Sequence, residues 1–392
     1  MSFNKTILVW IMFQLGPLGA LFAQGNWQNF TTENTILVDN QINDVLIVDG
    51  VKWIGTSWGL YTYDNDTWVN YTDVLPHPFV NSIACDKEGN IYACTLSGIA
   101  VYDGISWETI TSQNSIMTSH VNEVVFDDNN VAYVGTIDGL FTINNGDVSL
   151  LLDTSSLENN FINVRCLAFK GDSLCIGTVN GGLGYLYNNT ISWYNTSNGL
   201  IDNTATDLVV DNENLWITAP YGGLISQLIS ESFLIFNTGY FSDWPSNSLN
   251  TLYKDNDENL FYIGSSGGGF FSFTYESGIQ STTTYNTDNS DLINDYVLCI
   301  EKDEKGYWIG TEGGLVYWSM VADIETKNNI PYFYQNMSQL VFEKPSDINV
   351  YSLDGKLVFS SKKTTSVDLS FLTKGYYIAD INKKSSTLFL TN

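Results

Sequence analysis

The chain has 392 residues, 44% hydrophobic and 14% aromatic, with 43 acidic against 16 basic side chains and a formal net charge of −27. So acidic a surface repels phosphate backbones and argues against a nucleic-acid partner. With 32 Gly but only 7 Pro, and many Asn, Asp, Thr and Ser, the composition favours short strands joined by tight turns.

Residues 1–23 read as a secretory signal peptide. Lys5 supplies the positive start, Ile7 to Leu15 the apolar run, and Ala23 a small residue before Gln24. The run is short for a membrane span, which needs about 20 apolar residues. No later run is long enough, so no span is expected after signal cleavage.

From there one phrase recurs seven times: an aromatic or apolar residue, Gly-Thr, then a turn ending in Gly-Leu. The first copy is Trp53-Ile54-Gly55-Thr56…Gly59-Leu60 and the last is Trp308-Ile309-Gly310-Thr311…Gly314-Leu315. Measured at the Gly55 position, the steps are 39, 41, 42, 41, 46 and 46 residues. A period of roughly 40–45 residues built from short strands marks propeller blades. Each unit holds four apolar segments; in the first they surround Leu46, Ile54, Tyr61 and Val69. Asp49-Gly50 joins the first two as a hairpin turn. Later turns, such as Asp86 to Asn90 and Asp303 to Gly306, are acidic but lack a twelve-residue calcium-loop pattern and read as hairpins. Before each first strand stands a mark residue: Asn43, Asn81, Asn122, Asn163, Thr206, Asn250 and Asn294.

The seventh unit lacks its fourth strand. Trp27-Gln28-Asn29-Phe30-Thr31 matches the missing segment and is expected to close the ring. The fold class is therefore all-β: a seven-bladed β-propeller of four-stranded blades over residues 24–326, closed by the N-terminal strand. Cysteines 85, 94, 166, 175 and 299 are odd in number, lie in apolar strand patterns and read as small core hydrophobes. Pairing of Cys85 with Cys94, or of Cys166 with Cys175, is the alternative.

The charge changes sign near residue 327. Residues 24–326 hold seven basic against 38 acidic side chains, whereas residues 327–392 hold eight Lys against five acids. This marks a second domain, a small C-terminal β-sandwich over 327–392. Its first strands flank Asp354-Gly355, and Val367, Leu369, Leu372 and Gly375-Tyr376-Tyr377 follow.

The repeats Gly89-Asn90-Ile91-Tyr92-Ala93…Gly98-Ile99 and Gly306-Tyr307-Trp308-Ile309-Gly310-Thr311…Gly314-Leu315-Val316-Tyr317 resemble the two-component regulator propeller family over about residues 36–320. The tail, with Val350-Tyr351…Gly355…Val358 and Leu372…Gly375-Tyr376, resembles the sorting domain of the type IX secretion system over about 336–392. That resemblance implies export through the periplasm to the outer cell surface or medium, with the outer-membrane secretion machinery as a partner.

By analogy with other propellers, a ligand is expected on the face carrying the loops that lead into the innermost strands. Those loops hold His77, Phe79, His120 and Trp244; the short turns before Gly-Leu hold Trp58, Asp138, Asn180, Tyr221 and Glu312. Aromatics beside amides and carboxylates suit sugar rings and their hydroxyls. Asp44, Glu123, Asp207 and Asp295, each directly after a mark residue, suggest a carboxylate ring for a hard cation such as calcium. The leading functional expectation is a non-enzymatic binding propeller for a glycan, peptide or surface protein. The alternatives are an extracellular polysaccharide lyase or hydrolase using His77 and His120, and a structural or adhesion component.

Overall fold

In the computed structural model, the described residues are 26–113, 120–152, 163–212, 214–227, 233–242, 244–256, 260–275, 278–319, 332–334, 339–352, 356–369, 371–372, 375–381 and 384–390. The expected signal peptide, residues 1–23, lies outside them. Two compact units separate, one of them Trp27–Met320, the other containing residues 321–392.

Alternating apolar residues and Asx or Gly turns make each repeat an antiparallel four-stranded meander. Blade one runs Ile42–Val48, Val51–Thr56, Gly59–Asp64 and Thr67–Asn70 in spatial order. Six blades follow this scheme. In the seventh, Val297–Lys302, Gly306–Thr311 and Gly314–Ser319 are completed by Asn26–Phe30, which pairs with Gly314–Ser319. The expected closure is thus present. Trp27 stacks on Trp318 (5.3 Å between centroids) and Phe30 on Trp308 (5.7 Å). At the same seam Lys52 of blade one reaches Asp303 of blade seven (3.2 Å) and lies over the Trp308 ring.

The repeated phrase has a mechanical explanation. A Cβ at Gly55 would lie 2.7 Å from Val80 Cγ1, the first inner-strand side chain of the next blade, so glycine lets the blades close up. Thr56 then ties its turn: Oγ1 donates to the Gly59 carbonyl (3.0 Å) and accepts from Trp58 N–H (3.0 Å). Thr95, Thr136, Thr178, Ser265 and Thr311 donate in the same way. Gly59 itself takes φ +139°, which side chains rarely adopt. The acidic hairpins close on themselves: Asp86 Oδ1 accepts N–H bonds from Glu88 and Asn90 (both 2.9 Å). All five cysteines are free thiols.

In the C-terminal unit the described strands, Tyr332–Tyr334, Gln339–Ser352, Leu357–Asp368, Gly375–Ile381 and Lys384–Leu390, form one five-stranded sheet. The sandwich expected from sequence has no second sheet among the described residues. Gln339–Ser352 is long enough to pair with three neighbours, which joins into one sheet what the turn signals suggested as two.

Candidate functional site

The innermost strands surround the central channel, and in six blades each opens with a β-bulge. A bulge leaves one residue unpaired and turns it out of the ladder. That residue is Asn43, Asn81, Asn122 and Asn250 in four blades. Each amide donates across the seam to the next blade, to the carbonyls of Val80 (2.8 Å), Val121 (2.6 Å), Val164 (2.7 Å) and Val297 (2.9 Å). Thr206 does the same to Leu249 (2.6 Å).

Two marks are displaced from their expected positions. The unpaired residue of blade four is Arg165, not Asn163, and that of blade seven is Leu298, not Asn294. Counting outward from the Gly171-Asp172 turn places Cys166 opposite Gly177, so hairpin register, not the asparagine, marks the channel position. Asp295 therefore leaves the ring: its carboxylate accepts from Thr287 N–H (2.8 Å) and Oγ1 (3.0 Å), and Cys299 takes its channel position.

The other three carboxylates do line the channel. Asp44 accepts from Val45 N–H (2.8 Å) and from Ile83 N–H of the next blade (2.6 Å). Glu123 accepts from Leu167 N–H (2.6 Å), and Asp207 from Leu208 (2.7 Å) and Leu252 (2.8 Å). Carboxylates from blades one, three and five thus bind the amides two residues past the unpaired residue in blades two, four and six. Enclosure at the neck of the channel raises Asp44 and Asp207 to about 6 and Glu123 well above the usual range. Bonds to backbone N–H groups oppose the rise, and the Arg165 charge lowers Glu123 and Asp207. Among the described residues no group of three or more His, Cys, Asp or Glu could hold a metal ion. Set on alternate blades, Asp44, Glu123 and Asp207 form no such group, so they do not fit calcium.

Together these rings enclose a cavity of about 370 Å³, with Gln41 and Phe79 from the lead-in loops at its rim. Arg165 projects into it as an exposed side chain. It is the only arginine of the chain.

The surrounding face is built from paired loops. In five blades the backbone of the short turn bonds its own blade's lead-in segment, as in Ser57 N–H to Gln41 O (3.1 Å) and Ile137 N–H to His120 O (3.3 Å). Trp58 and Tyr221 stand out at 55% and 85% exposure, and Glu312 is exposed on the equivalent turn of blade seven. Asn180 has φ +64° and accepts from Thr204 Oγ1 (3.4 Å). His77, Phe79, His120 and Asp138 fall in neighbouring loops. His77 Nδ1 accepts from Phe79 N–H (3.0 Å); partial burial lowers His120, while Asp138 raises it and His77 lowers it. Trp244 requires a correction: at 3% exposure it packs on Phe271 (4.6 Å) and Phe241 (5.2 Å), so it is a core residue and offers no stacking surface.

Residues 332–390 match the secretion system C-terminal sorting domain. No curated protein matches the chain. Among solved structures, the extracellular domain of the hybrid two component system BT3049 from B. thetaiotaomicron is 18% identical with a TM-score of 0.66, over 93% of this chain and 57% of that one. PorZ, a surface component of the type-IX secretion system of Porphyromonas gingivalis, is 12% identical with a TM-score of 0.52, over 91% and 60%. Virginiamycin B lyase from Staphylococcus aureus is 13% identical with a TM-score of 0.61, over 75% and 99%. The chain spans less than two thirds of the first two, and at such identities the likeness is one of fold. No helix among the described residues is long and apolar enough to cross a membrane. The chain is thus a secreted or cell-surface protein: a seven-bladed propeller of the kind seen in two-component extracellular domains, carrying a secretion system C-terminal sorting domain at residues 332–390.

Proposed function

We propose that the propeller is a non-enzymatic binding module, recognising a glycan, peptide or surface protein through its loop face, and that the C-terminal domain engages the outer-membrane secretion machinery. One observation carries the binding reading. Among the described propeller residues, twelve large hydrophobics are exposed, and seven of them lie in the lead-in loops and short turns of this face. Trp58, Tyr221, Tyr240 and Tyr296 are aromatic; Ile36, Val38 and Ile201 are aliphatic. Exposed apolar surface rimmed by polar groups is a mark of interaction sites. Aromatic side chains with a polar tip or neighbour are also the residues that dominate binding energy.

That PorZ works at a bacterial surface supports the setting for a propeller of this build. The rival reading, a lyase or hydrolase, draws on His77, His120 and Asp138, which share one stretch of the rim. Screening the secreted protein against glycan and peptide arrays tests both. Binding weakened about 10-fold or more in a Trp58→Ala/Tyr221→Ala variant supports recognition by this face. Cleaved product that disappears in His120→Ala would replace binding with catalysis. Silence in both assays favours a structural or adhesion role.

A further inference from the structure

We propose that the loop-face end of the channel is a pocket for a small zwitterion, an amino acid or short peptide, whose carboxylate is held by Arg165 and whose ammonium faces Glu123 and Asp207. The inference deepens the binding reading of this face and rests on it.

Arg165 occupies a position that five blades give to Asn or Thr and blade seven gives to Leu298. In five blades that residue donates to the next blade's carbonyl. Arg165 does not; the corresponding carbonyl, that of Ala205, has only the Cys166 thiol at 3.7 Å, a weak donor. The arginine therefore forgoes a bond between blades and gains none for the fold. Three ion pairs close within 4 Å among the described residues, and Arg165 is in none of them. A guanidinium carries five N–H donors in a planar fork matched to a carboxylate. Here that fork is exposed to a cavity.

The cavity sets the rest of the ligand. Three carboxylates share it with one guanidinium, inside a chain of net charge −27. A simple anion gains at Arg165 and is repelled by Asp44, Glu123 and Asp207. An ammonium alone meets Arg165. A ligand bearing both charges is complementary to the whole wall. Glu123 Oε2 accepts one N–H and keeps a lone pair; Asp207 Oδ2 is filled by Leu252 N–H and Thr251 Oγ1, but its Oδ1 accepts only Leu208 N–H and keeps one. Phe79 offers an apolar wall to a side chain, and the volume of about 370 Å³ lies at the small end of ligand pockets.

Isothermal titration of the secreted protein with the dipeptide Gly-Leu tests this, beside its C-terminal amide, its N-acetyl form and glucuronate. We expect Gly-Leu to bind, and each of the three others to bind about 10- to 100-fold more weakly, the loss of one charge-assisted contact. Arg165→Gln should abolish binding, and Arg165→Lys, which keeps the charge but not the fork, should weaken it about 10-fold or more. Trp58→Ala/Tyr221→Ala should retain dipeptide binding, which separates this pocket from the outer face. The inference is overturned if wild type does not bind Gly-Leu, if the amide or acetyl form binds as tightly, or if folded Arg165→Gln binds as wild type does. A purely structural counter-charge would give that last result.

Discussion

Gly55 is fixed by a side chain in the next blade. A methyl there would press on Val80 Cγ1 at 2.7 Å, and overpacking of this kind costs about 1–3 kcal/mol. We expect Gly55→Ala to lower the melting temperature, while Gly50→Ala, whose Cβ meets open space, acts only through its backbone strain at φ +82°. Calorimetry of Gly55→Ala showing no loss would contradict the packing role. The channel carboxylates make a pH prediction. Asp44 and Asp207 stand at about 6 against an ordinary 3.8, so between these values the native state holds protons that the unfolded chain has released. Their contribution to stability therefore falls as pH rises from about 4 through 6 and is lowest above that. Melting temperature should rise on moving from pH 7 to pH 5, and should rise less in Asp44→Asn/Asp207→Asn. Equal rises would show that relief of the general negative charge explains everything. Among single residues, the exposure of Trp58 and Tyr221 was legible from their place in the turns. Arg165 was not, because a search by residue type follows asparagine, whereas the channel position is set by hairpin register.

The strand Asn26–Phe30 shows how far the repeat pattern reaches. Three segments in the last unit and one stray matching segment at the start sufficed to identify the closing partner, since a four-stranded blade with three strands leaves an exposed edge. Deleting residues 26–31 removes the stacks of Trp27 on Trp318 and Phe30 on Trp308. We expect a sharp fall in melting temperature; an unchanged curve would contradict closure. Trp244 teaches the opposite lesson. In sequence it is one more aromatic in a loop beside Pro245, and only the folded loop turns it onto Phe241 and Phe271. Trp244→Ala should cost about 3–5 kcal/mol, as buried tryptophans do. Weakened binding with unaltered stability would instead return Trp244 to the surface. The C-terminal strands were found in place, but their assembly into one sheet depends on Gln339–Ser352 pairing along both edges, which alternation alone does not encode.

For the molecule as a whole, period and charge identified a propeller and a separate tail, and the tail is a secretion sorting domain. Specificity was less legible, because the repeated residues are those that close turns and pack blades. We propose that it resides where the copies differ: in the exposed aromatics of the loop face and in the one arginine of the channel. The measurement that bears most directly on this division is binding of the glycan or peptide found on the arrays, as distinct from the channel dipeptide, by the secreted protein beside its Trp58→Ala/Tyr221→Ala variant, with melting curves on both. Binding should fall about 10-fold or more while the melting temperature stays within about 1–2 °C, since both side chains are exposed. Equal binding by the two proteins would contradict recognition through this face.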